Sequence, residues 1–487
     1  MVERLAWRAL IPVFLCALLS ALMFYRTQGV ISLVPLLAAI ALMTINRLRK
    51  VEAIVGVYIF VGLIFILDDT NYNPWGSVDT ITKTLGYGLY QSFFSVTASE
   101  LLAFSIAVWT FLNTNIETKK VWLRYGLIFG LVITFLYPIL FWEAFFISNV
   151  FDDKASTLKF HLAQIRMHHI LPLWFFIGFS NISNWKRFDT VMKIMAWTTV
   201  VKSIQGVFNY IFHIDVFGHP ENEYLIEHYY SMFAAMTICY FIMKAISDKN
   251  KISTITAALV LPPVFASFAL NDRRTAVLGS VLAIIMIIAS KPLSWFLKHK
   301  THFVVAATAF VLFTGATWNA SGPLAVVSST LKSLIIKPEG TIKLDYRDLE
   351  NANILREVAN NPYLGMGSGA EVENKFGMPD ISHIYPKYLV LPHNIYLAYW
   401  AIGGPLNMAM FTSLFVFMVA LSIKTQSSSY VYKNRSGAIA LFFFVQWIAY
   451  TIADLGIIHQ RNVIIGGLFL GALMRNYYQD QIRGDYG

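Results

Sequence analysis

Long apolar runs alternate with short polar turns along most of the 487-residue chain. About fourteen of these runs approach the roughly 20 residues that a helix needs to cross a hydrocarbon core of about 30 Å. The pattern predicts an all-α integral membrane protein, a polytopic helical bundle of about 12–14 transmembrane helices. We treat residues 1–487 as a single transmembrane domain.

A polar interval at 321–394 interrupts this pattern. Within it, apolar residues at helical spacing run from Asp345 to Val358 and stop at Asn360-Asn361-Pro362, because proline does not continue a helix. The run Gly365-Met366-Gly367-Ser368-Gly369 follows. It has no strand before it and no clear helix after it, so a turn is predicted rather than a nucleotide-binding loop. We expect a large, partly helical loop between two late transmembrane helices.

The composition agrees with a membrane protein. Hydrophobic residues make up 56% of the sequence and charged residues 14%, whereas soluble domains average about 45–50% and about 25%. The formal net charge of +10 comes from basic clusters between apolar runs. Membrane topology explains these clusters, so no nucleic-acid partner is expected. Cys16 and Cys239 both lie inside apolar runs, so the sequence does not indicate a disulfide framework.

The basic clusters fall in alternate loops, and this sets the predicted orientation. By the positive-inside rule, these loops and both termini face the cytoplasm, and the other loops, including 321–394, face the outside. On the outer side, helical spacing from Leu158 to His169 predicts a helix lying along the membrane interface. The basic clusters contain Arg47, Arg49 and Lys50; Lys119, Lys120 and Arg124; Lys186 and Arg187; Lys249 and Lys251; Lys298 and Lys300; Lys424, Lys433 and Arg435; and Arg475.

Two neighbouring arginines are candidates for binding an anion. Arg273 and Arg274 lie where one apolar run ends on the outer side and the next begins. Arginine at this depth is costly unless it reaches water or meets an anion, and the guanidinium fork suits phosphate oxygens. The alternative is that both side chains extend to water and pair with Asp272.

Two further places combine arginine with carboxylates. Arg347 lies in the first turn of the loop helix, flanked by Asp348 and Glu350, so an ion pair at the surface is as compatible with the sequence as a ligand contact. Asp454 follows an apolar run near its outer end, and Arg461 lies in the next outer turn. A carboxylate at membrane depth is a candidate functional group, with Arg461 as a candidate partner.

His393 is the candidate proton acceptor. It stands behind Pro392 and directly before an apolar run, which places its imidazole near the outer membrane surface. Imidazole is suited to take a proton from a hydroxyl group near neutral pH. The alternative is an interfacial histidine that bonds only to backbone. The histidines show no zinc-binding spacing such as His-Glu-x-x-His, so neither a metal site nor a cofactor is expected.

The order of these motifs resembles a known superfamily. Arg274-Thr275-Ala276 begins a span, Arg347 begins a loop helix, Asn361 to Gly369 reads Asn-Pro-x-Leu-Gly-x-Gly-x-Gly, His393-Asn394 opens the next span, and Gly403-Gly404 follows. This ordered set is similar to the O-antigen ligases, O-antigen polymerases and related protein O-oligosaccharyltransferases. The matching block runs from about Arg274 to Gly404.

The resemblance implies a metal-independent, inverting glycosyltransferase of the bacterial inner membrane, with its active site facing the periplasm. Such an enzyme moves a glycan from undecaprenyl diphosphate to an acceptor hydroxyl. Arg274 and Arg347 match the arginines that engage the diphosphate, and His393 matches the family histidine, so we assign these three to catalysis. Arg273 stands where the family often has a small polar residue. We assign four residues to substrate binding: Arg273, Asn394, Asp454 and Arg461.

Within the superfamily, two features favour a polymerase of a surface polysaccharide. Gly404 is followed by Pro405-Leu406-Asn407-Met408, where ligases often carry threonines, and the chain is longer than the ligases typically are. The alternative is an O-antigen ligase that attaches polymer to lipid A-core. The expected partners are the lipid-linked donor, a glycan or lipid A-core acceptor, the bilayer and polysaccharide assembly proteins.

A transporter is an alternative of a different class. A flippase for lipid-linked oligosaccharides would also be a basic protein with many spans. Transporters place ionisable residues near the middle of the membrane and often have related halves. Here the polar residues gather in one outer loop and no clear internal repeat is found, so the enzyme is favoured over a flippase and over a purely structural scaffold.

Overall fold

The computed structural model describes most of the second half of the chain and part of the first. The described residues are 52–66, 92–93, 96–113, 158–211, 229–248, 250–271, 273–291, 311–320, 346–380, 389–390, 392–428, 430–453 and 459–484, with a few single positions between 301 and 332. The predicted transmembrane runs at 9–25, 30–45 and 123–146 lie outside these residues.

The regular secondary structure in the described part of the chain is helical apart from one two-residue antiparallel pair. That pair joins β1 (Ser92–Phe93) to β2 (Val96–Thr97). The helices with defined bounds are α1 (Ile54–Ile66), α2 (Ala98–Asn113), α3 (Leu158–Asn181), α4 (Trp185–Ile211), α5 (Tyr230–Asp248), α6 (Lys251–Leu270), α7 (Arg274–Ala289), α8 (Tyr346–Asn360), α9 (Ile395–Gln426), α10 (Val431–Ala453) and α11 (Gln460–Gly484). The predicted helical class is therefore confirmed for these residues.

Four of the described helices are long and apolar enough to cross a membrane: α5, α6, α9 and α10. Three shorter apolar helices accompany them, at Ile54–Phe65, Leu102–Phe111 and Arg274–Ala289. The loop helix α8 differs from all of these, because it carries charged residues along its length. The contrast between apolar spans and a polar α8 agrees with the sequence pattern.

The helix predicted over 158–169 does not end at His169. α3 continues to Asn181 through Pro172, because the apolar run that follows extends the helix. Gln164 and His168, both in the segment predicted to lie along an interface, are buried. The tyrosine hydroxyl of Tyr399 in α9 lies 2.7 Å from Nε2 of His168. Gln164 and His168 are therefore packed against other parts of the protein.

Glycines bring α3 and α11 into close contact. A Cβ atom placed on Gly471 would lie 2.3 Å from the Phe175 carbonyl oxygen, and one on Gly178 would lie 2.5 Å from the carbonyl oxygen of Leu468. Gly467, one turn before Gly471, faces the same helix. In a membrane, helices associate through close van der Waals packing, and small residues allow it. α3 and α11 therefore cross in close backbone contact.

A buried ion cluster joins α4, α5 and α10 at one end of the bundle. Arg435 is 2% exposed, and its guanidinium donates to Asp189 at 2.9 Å and to Asp248 at 2.7 Å. Ser247 accepts a further bond from the same guanidinium at 2.9 Å. A buried charge is tolerated when it is paired and hydrogen-bonded. This cluster is accordingly a structural joint between helices.

Candidate active site

One buried carboxylate holds His393 through two different groups. Glu350 is 2% exposed. Its Oε2 accepts from the His393 backbone N–H at 2.9 Å, and its two oxygens lie 3.0 Å and 3.1 Å from the ring Nδ1. Because a carboxylate only accepts hydrogen bonds, the contact assigns the ring proton to Nδ1. Nε2 is then the ring nitrogen that can take up a proton.

The helix α8 brings Glu350 to this position. Its buried face contains Glu350, Ile354 and Val358, spaced four residues apart along one side of the helix. The same face packs on α9. Tyr346, at the start of α8, places its ring edge-on against His393, with 5.9 Å between ring centroids. The imidazole is therefore held between an aromatic ring and a carboxylate.

The start of α9 fixes the backbone on the other side of His393. Asn394 is the N-cap residue of α9, and its side-chain oxygen accepts from the Leu397 N–H at 3.2 Å. An N-cap bond of this kind satisfies one of the free amides of the first helical turn. In the described contacts, the role of Asn394 is thus to position the residue before it.

α9 is broken nine residues after it begins. Gly403 and Gly404 have non-helical backbone angles, and Gly404 has φ +72°. Pro405 follows and has no N–H, so the carbonyl of Ala401 loses the donor that a continuous helix would provide. The break also leaves the Ile402 carbonyl turned toward the loop.

The glycine run 365–369 docks on this break. The Met366 N–H donates to Ala401 O at 2.6 Å, and the Gly367 N–H donates to Ile402 O at 3.0 Å. The loop amides thus satisfy the carbonyls that the break exposes. Positive φ angles at the three glycines of the run allow the tight turn. The predicted turn is confirmed, and these amides are occupied by protein carbonyls rather than held open for a phosphate.

Gln164 of α3 ties the glycine run to the segment before His393. Its Oε1 accepts from Ser368 Oγ at 2.9 Å and from the Gly369 N–H at 2.7 Å. Its Nε2 donates to the Val390 carbonyl at 2.7 Å. One buried amide therefore bonds to both sides of the loop, and the sequence analysis missed it.

Two other side chains of α8 organise the middle of the loop. The Asn353 Oδ1 accepts from the Lys375 N–H at 2.8 Å and from the Phe376 N–H at 3.0 Å. Glu357 Oε1 accepts from the Glu373 N–H at 3.2 Å. These bonds fold 371–378 back onto α8. Residues 346–380 of the loop are therefore an ordered layer over the start of α9.

Arg347 is close in sequence to Glu350, the residue that contacts His393. It is half-buried in the first turn of α8, three residues before Glu350. Residues three apart are neighbours on a helix surface. The sequence left Glu350 open as a surface ion-pair partner of Arg347; the structure instead buries Glu350 against His393. Arg356 points elsewhere and lies 3.5 Å from Glu373.

Arg273 and Arg274 lie at the start of α7. Arg273 is the half-buried N-cap residue of α7, and Arg274 is exposed in its first turn. α7 packs mainly on α10, where Gln446 Nε2 donates to the Ala276 carbonyl at 3.0 Å. Asp272, the alternative partner of these arginines, lies outside the described residues.

Arg461 caps the end of α1. Its Nε donates to the carbonyl oxygen of Ile64 at 2.7 Å, and its guanidinium lies 5.1 Å from the centre of the Tyr230 ring. The Tyr230 hydroxyl donates to the next carbonyl, that of Phe65. Cationic groups at a helix C-terminus bond to its last carbonyls and oppose its negative end. The predicted partner of Arg461, Asp454, lies outside the described part of the chain.

The described residues also bear on metal binding. Among them, no three His, Cys, Asp or Glu side chains are grouped so that they could hold a metal ion. The His393–Glu350 pair has the arrangement found in other sites where a buried carboxylate orients an imidazole. No protein-family model and no curated protein matches the chain.

Proposed function

We propose that the protein is a membrane glycosyltransferase that moves a glycan from undecaprenyl diphosphate to an acceptor sugar hydroxyl, at the periplasmic face of a bacterial inner membrane. The observation that carries the proposal is that the buried Glu350 carboxylate contacts both the backbone amide and the imidazole ring of His393. Glycosyl transfer from a diphosphate needs a positioned base, and this pair supplies one.

The reaction balances with the groups that the chain provides. The acceptor hydroxyl oxygen forms a bond to the sugar C1 as its proton passes to Nε2 of His393. The bond from C1 to the phosphate oxygen breaks, and the diphosphate leaves with the electron pair. Diphosphate is a good leaving group, so the enzyme mainly has to stabilise the accumulating negative charge. Along α8, Arg347 is the basic residue nearest to Glu350, which bonds to His393. Arg274 or Arg273, at the start of α7, would bind the diphosphate.

The membrane arrangement is part of the same proposal. About 12–14 transmembrane helices surround one periplasmic loop at 321–394, with both termini in the cytoplasm. Support comes from the four helices that can span a membrane and from the polar α8, which folds as a layer over α9. The bilayer side of the bundle would receive the polyprenyl tail, and Asn394, Asp454 and Arg461 remain proposed substrate-binding residues.

The proposal favours a polymerase that joins repeat units. The size and attachment of surface glycan tests it, with lipid-linked intermediates extracted in parallel from cells with and without the gene. Single repeat units still attached to their acceptor identify a polymerase. Full-length polymer stranded on the polyprenyl carrier identifies the ligase that acts on lipid A-core. Repeat units trapped on the cytoplasmic leaflet contradict both enzymes and identify a flippase.

Replacing Gln164 should slow transfer without removing the base. Gln164→Leu breaks the bonds to Ser368, Gly369 and Val390, so the segment that carries His393 loses its tie to α3. Loss of an orienting partner typically costs about 10–100-fold in activity. We expect a fall of that size in the transfer rate of the purified protein.

A graded control separates positioning from general damage. Ser368→Ala removes only one of the three bonds that Gln164 makes, so its transfer rate should stay within about threefold of the native protein. Equal rates for Gln164→Leu and the native protein, at equal yield in the membrane, would show that the tie has no part in the reaction.

A further inference from the structure

An exposed apolar tip follows α8. Tyr363 and Leu364 are 80% and 65% exposed, although the loop around them is ordered. Leu355, on the exposed side of α8, is 49% exposed and lies on the same helix that leads to the tip. Large side chains of this kind, left outside a folded loop in one group, are typical of a binding surface.

The tip is fixed to the break in α9. A Cβ atom on Gly404 would lie 1.9 Å from the Tyr363 carbonyl oxygen, so the tip backbone rests directly on the break. The Trp400 Nε1 donates to the carbonyl of Pro362 at 3.0 Å. The Gly365 N–H donates to the Asn361 carbonyl at 3.0 Å. Backbone groups on both sides of the tip are thus bonded within the protein, as backbone near lipid requires.

The length of α9 locates the break relative to a bilayer. Its 32 residues would extend roughly 48 Å as a straight helix, which is longer than a hydrocarbon core of about 30 Å. The part after the break, 405–426, extends roughly 33 Å and matches that thickness. The break therefore falls at the boundary between hydrocarbon and headgroups, and the first turns of α9 belong to the loop.

A stripe of exposed residues runs along this membrane-crossing part of α9, beginning at Leu406. Its exposed positions recur at the spacing of one helix face: Leu406, Ala409, Ser413, Val416, Ala420 and Lys424. The Ser413 hydroxyl donates to the Ala409 carbonyl at 2.7 Å, so the one polar side chain in the middle of the stripe is bonded within the helix. The part of α9 after the break therefore has an exposed, largely apolar face that begins at Leu406.

The distribution of charged residues favours lipid over water as the environment of this tip. Residues 358–370 contain no Asp, Glu, Lys or Arg, while Glu357 and Glu371 flank them. Tyrosine beside apolar residues is favoured at the membrane interface, where its hydroxyl meets headgroups and its ring meets acyl chains. Phe376 is also exposed, but it lies between charged residues, next to Lys375.

We propose that the Tyr363–Leu364 tip inserts into the lipid leaflet on the loop side of the membrane. The insertion anchors the loop layer at the break in α9 and so sets the depth of the His393–Glu350 pair relative to the headgroups. This surface contact does not depend on the reaction that the protein performs.

Depth measurements on the full chain test the insertion. A single cysteine is placed by Leu364→Cys or by Phe376→Cys in a protein that carries Cys16→Ser and Cys239→Ala. Each cysteine is labelled with an environment-sensitive fluorophore, and the protein is reconstituted into phosphatidylethanolamine–phosphatidylglycerol vesicles. Nitroxide placed near the top of the acyl chains should quench the label at 364 at least about twofold and leave the label at 376 unchanged.

Three outcomes overturn the proposal. Equal absence of quenching at both positions shows that the tip lies in water. Equal quenching at both shows that the whole loop lies on the membrane rather than the tip alone. Efficient disulfide cross-linking between two Leu364→Cys chains, without lipid quenching, assigns the tip to contact between copies of the protein. The exposed position of Leu364 makes the cysteine variant compatible with folding, and Tyr363→Cys provides an independent second site.

Discussion

Glu350→Gln should reduce glycan transfer by about 10²–10⁴-fold, close to the loss expected for His393→Ala. The amide has nearly the shape of the carboxylate and can still accept from the His393 N–H. It carries no charge to stabilise the imidazolium that forms, and its NH₂ group can donate to Nδ1 and shift the ring proton to Nε2. The ring would then carry its proton on Nε2, the nitrogen that we propose takes up the proton of the acceptor hydroxyl.

The same helix supplies a matched control for this substitution. Glu357 is as buried as Glu350, at 1% and 2% exposure respectively, and bonds the Glu373 N–H rather than His393. Glu357→Gln should therefore keep transfer within about threefold of the native rate. Transfer rates at saturating donor, measured on both variants at equal protein yield, provide the comparison. Full activity of Glu350→Gln would remove the carboxylate from the mechanism, and full activity of His393→Ala would remove the base.

Gly404→Ala should strongly destabilise the loop layer. Gly404 has φ +72° and ψ −173°, a region that is essentially restricted to glycine and costs an alanine about 1–3 kcal/mol. The added Cβ would also lie 1.9 Å from the Tyr363 carbonyl oxygen, and overpacking of this kind typically costs a further 1–3 kcal/mol or so. The break in α9 and the glycine run would have to separate, so the Ala401 and Ile402 carbonyls would lose their donors.

Gly377 offers a control that also has a positive φ but has free space around it. Its φ is +67°, and no atom lies within 4 Å of where a Cβ would stand. Gly377→Ala should therefore show only the conformational cost of about 1–2 kcal/mol. Thermal unfolding in detergent and hydrogen exchange across 365–380 measure both variants. Equal losses for Gly404→Ala and Gly377→Ala would show that the contact with Tyr363 is not tight.

The apolar pattern was enough to predict the helical class, because period and length are local properties of the sequence. The break in α9 also has a local signal, since Gly403-Gly404-Pro405 combines two flexible residues with one that lacks an N–H. What the sequence analysis did not supply was the partner of the break. The loop amides that bond it come from about 35 residues earlier.

Glu350 shows why the site itself was only half predicted. Its neighbours Arg347 and Asp348 suggested a surface ion pair, which is the ordinary outcome for such a cluster. The contrary signal was present, because Glu350 stands in line with Ile354 and Val358 on one face of α8. A carboxylate on the same helix face as apolar residues is buried when another group forms a hydrogen bond with it. For Glu350 that group is His393, which is 43 residues away in the sequence.

Gln164 had no local signal at all. It lies 226 residues before Val390 and 204 before Ser368, and a glutamine in an amphipathic helix is ordinarily solvated. Only the three-dimensional arrangement shows that the amide joins two parts of the loop. Periodicity predicts which helices form, whereas contacts of this range depend on how the helices are arranged.

The docking of the glycine run on α9 also fixes the order in which the site can assemble during synthesis. The amides of Met366 and Gly367 leave the ribosome before the Ala401 and Ile402 carbonyls exist, while α3 with Gln164 is already made. Until the first turns of α9 are made, the loop is therefore held only by its contacts with earlier parts of the chain. A nascent chain that stalls between His393 and Ile402 contains the histidine but cannot yet form the complete site.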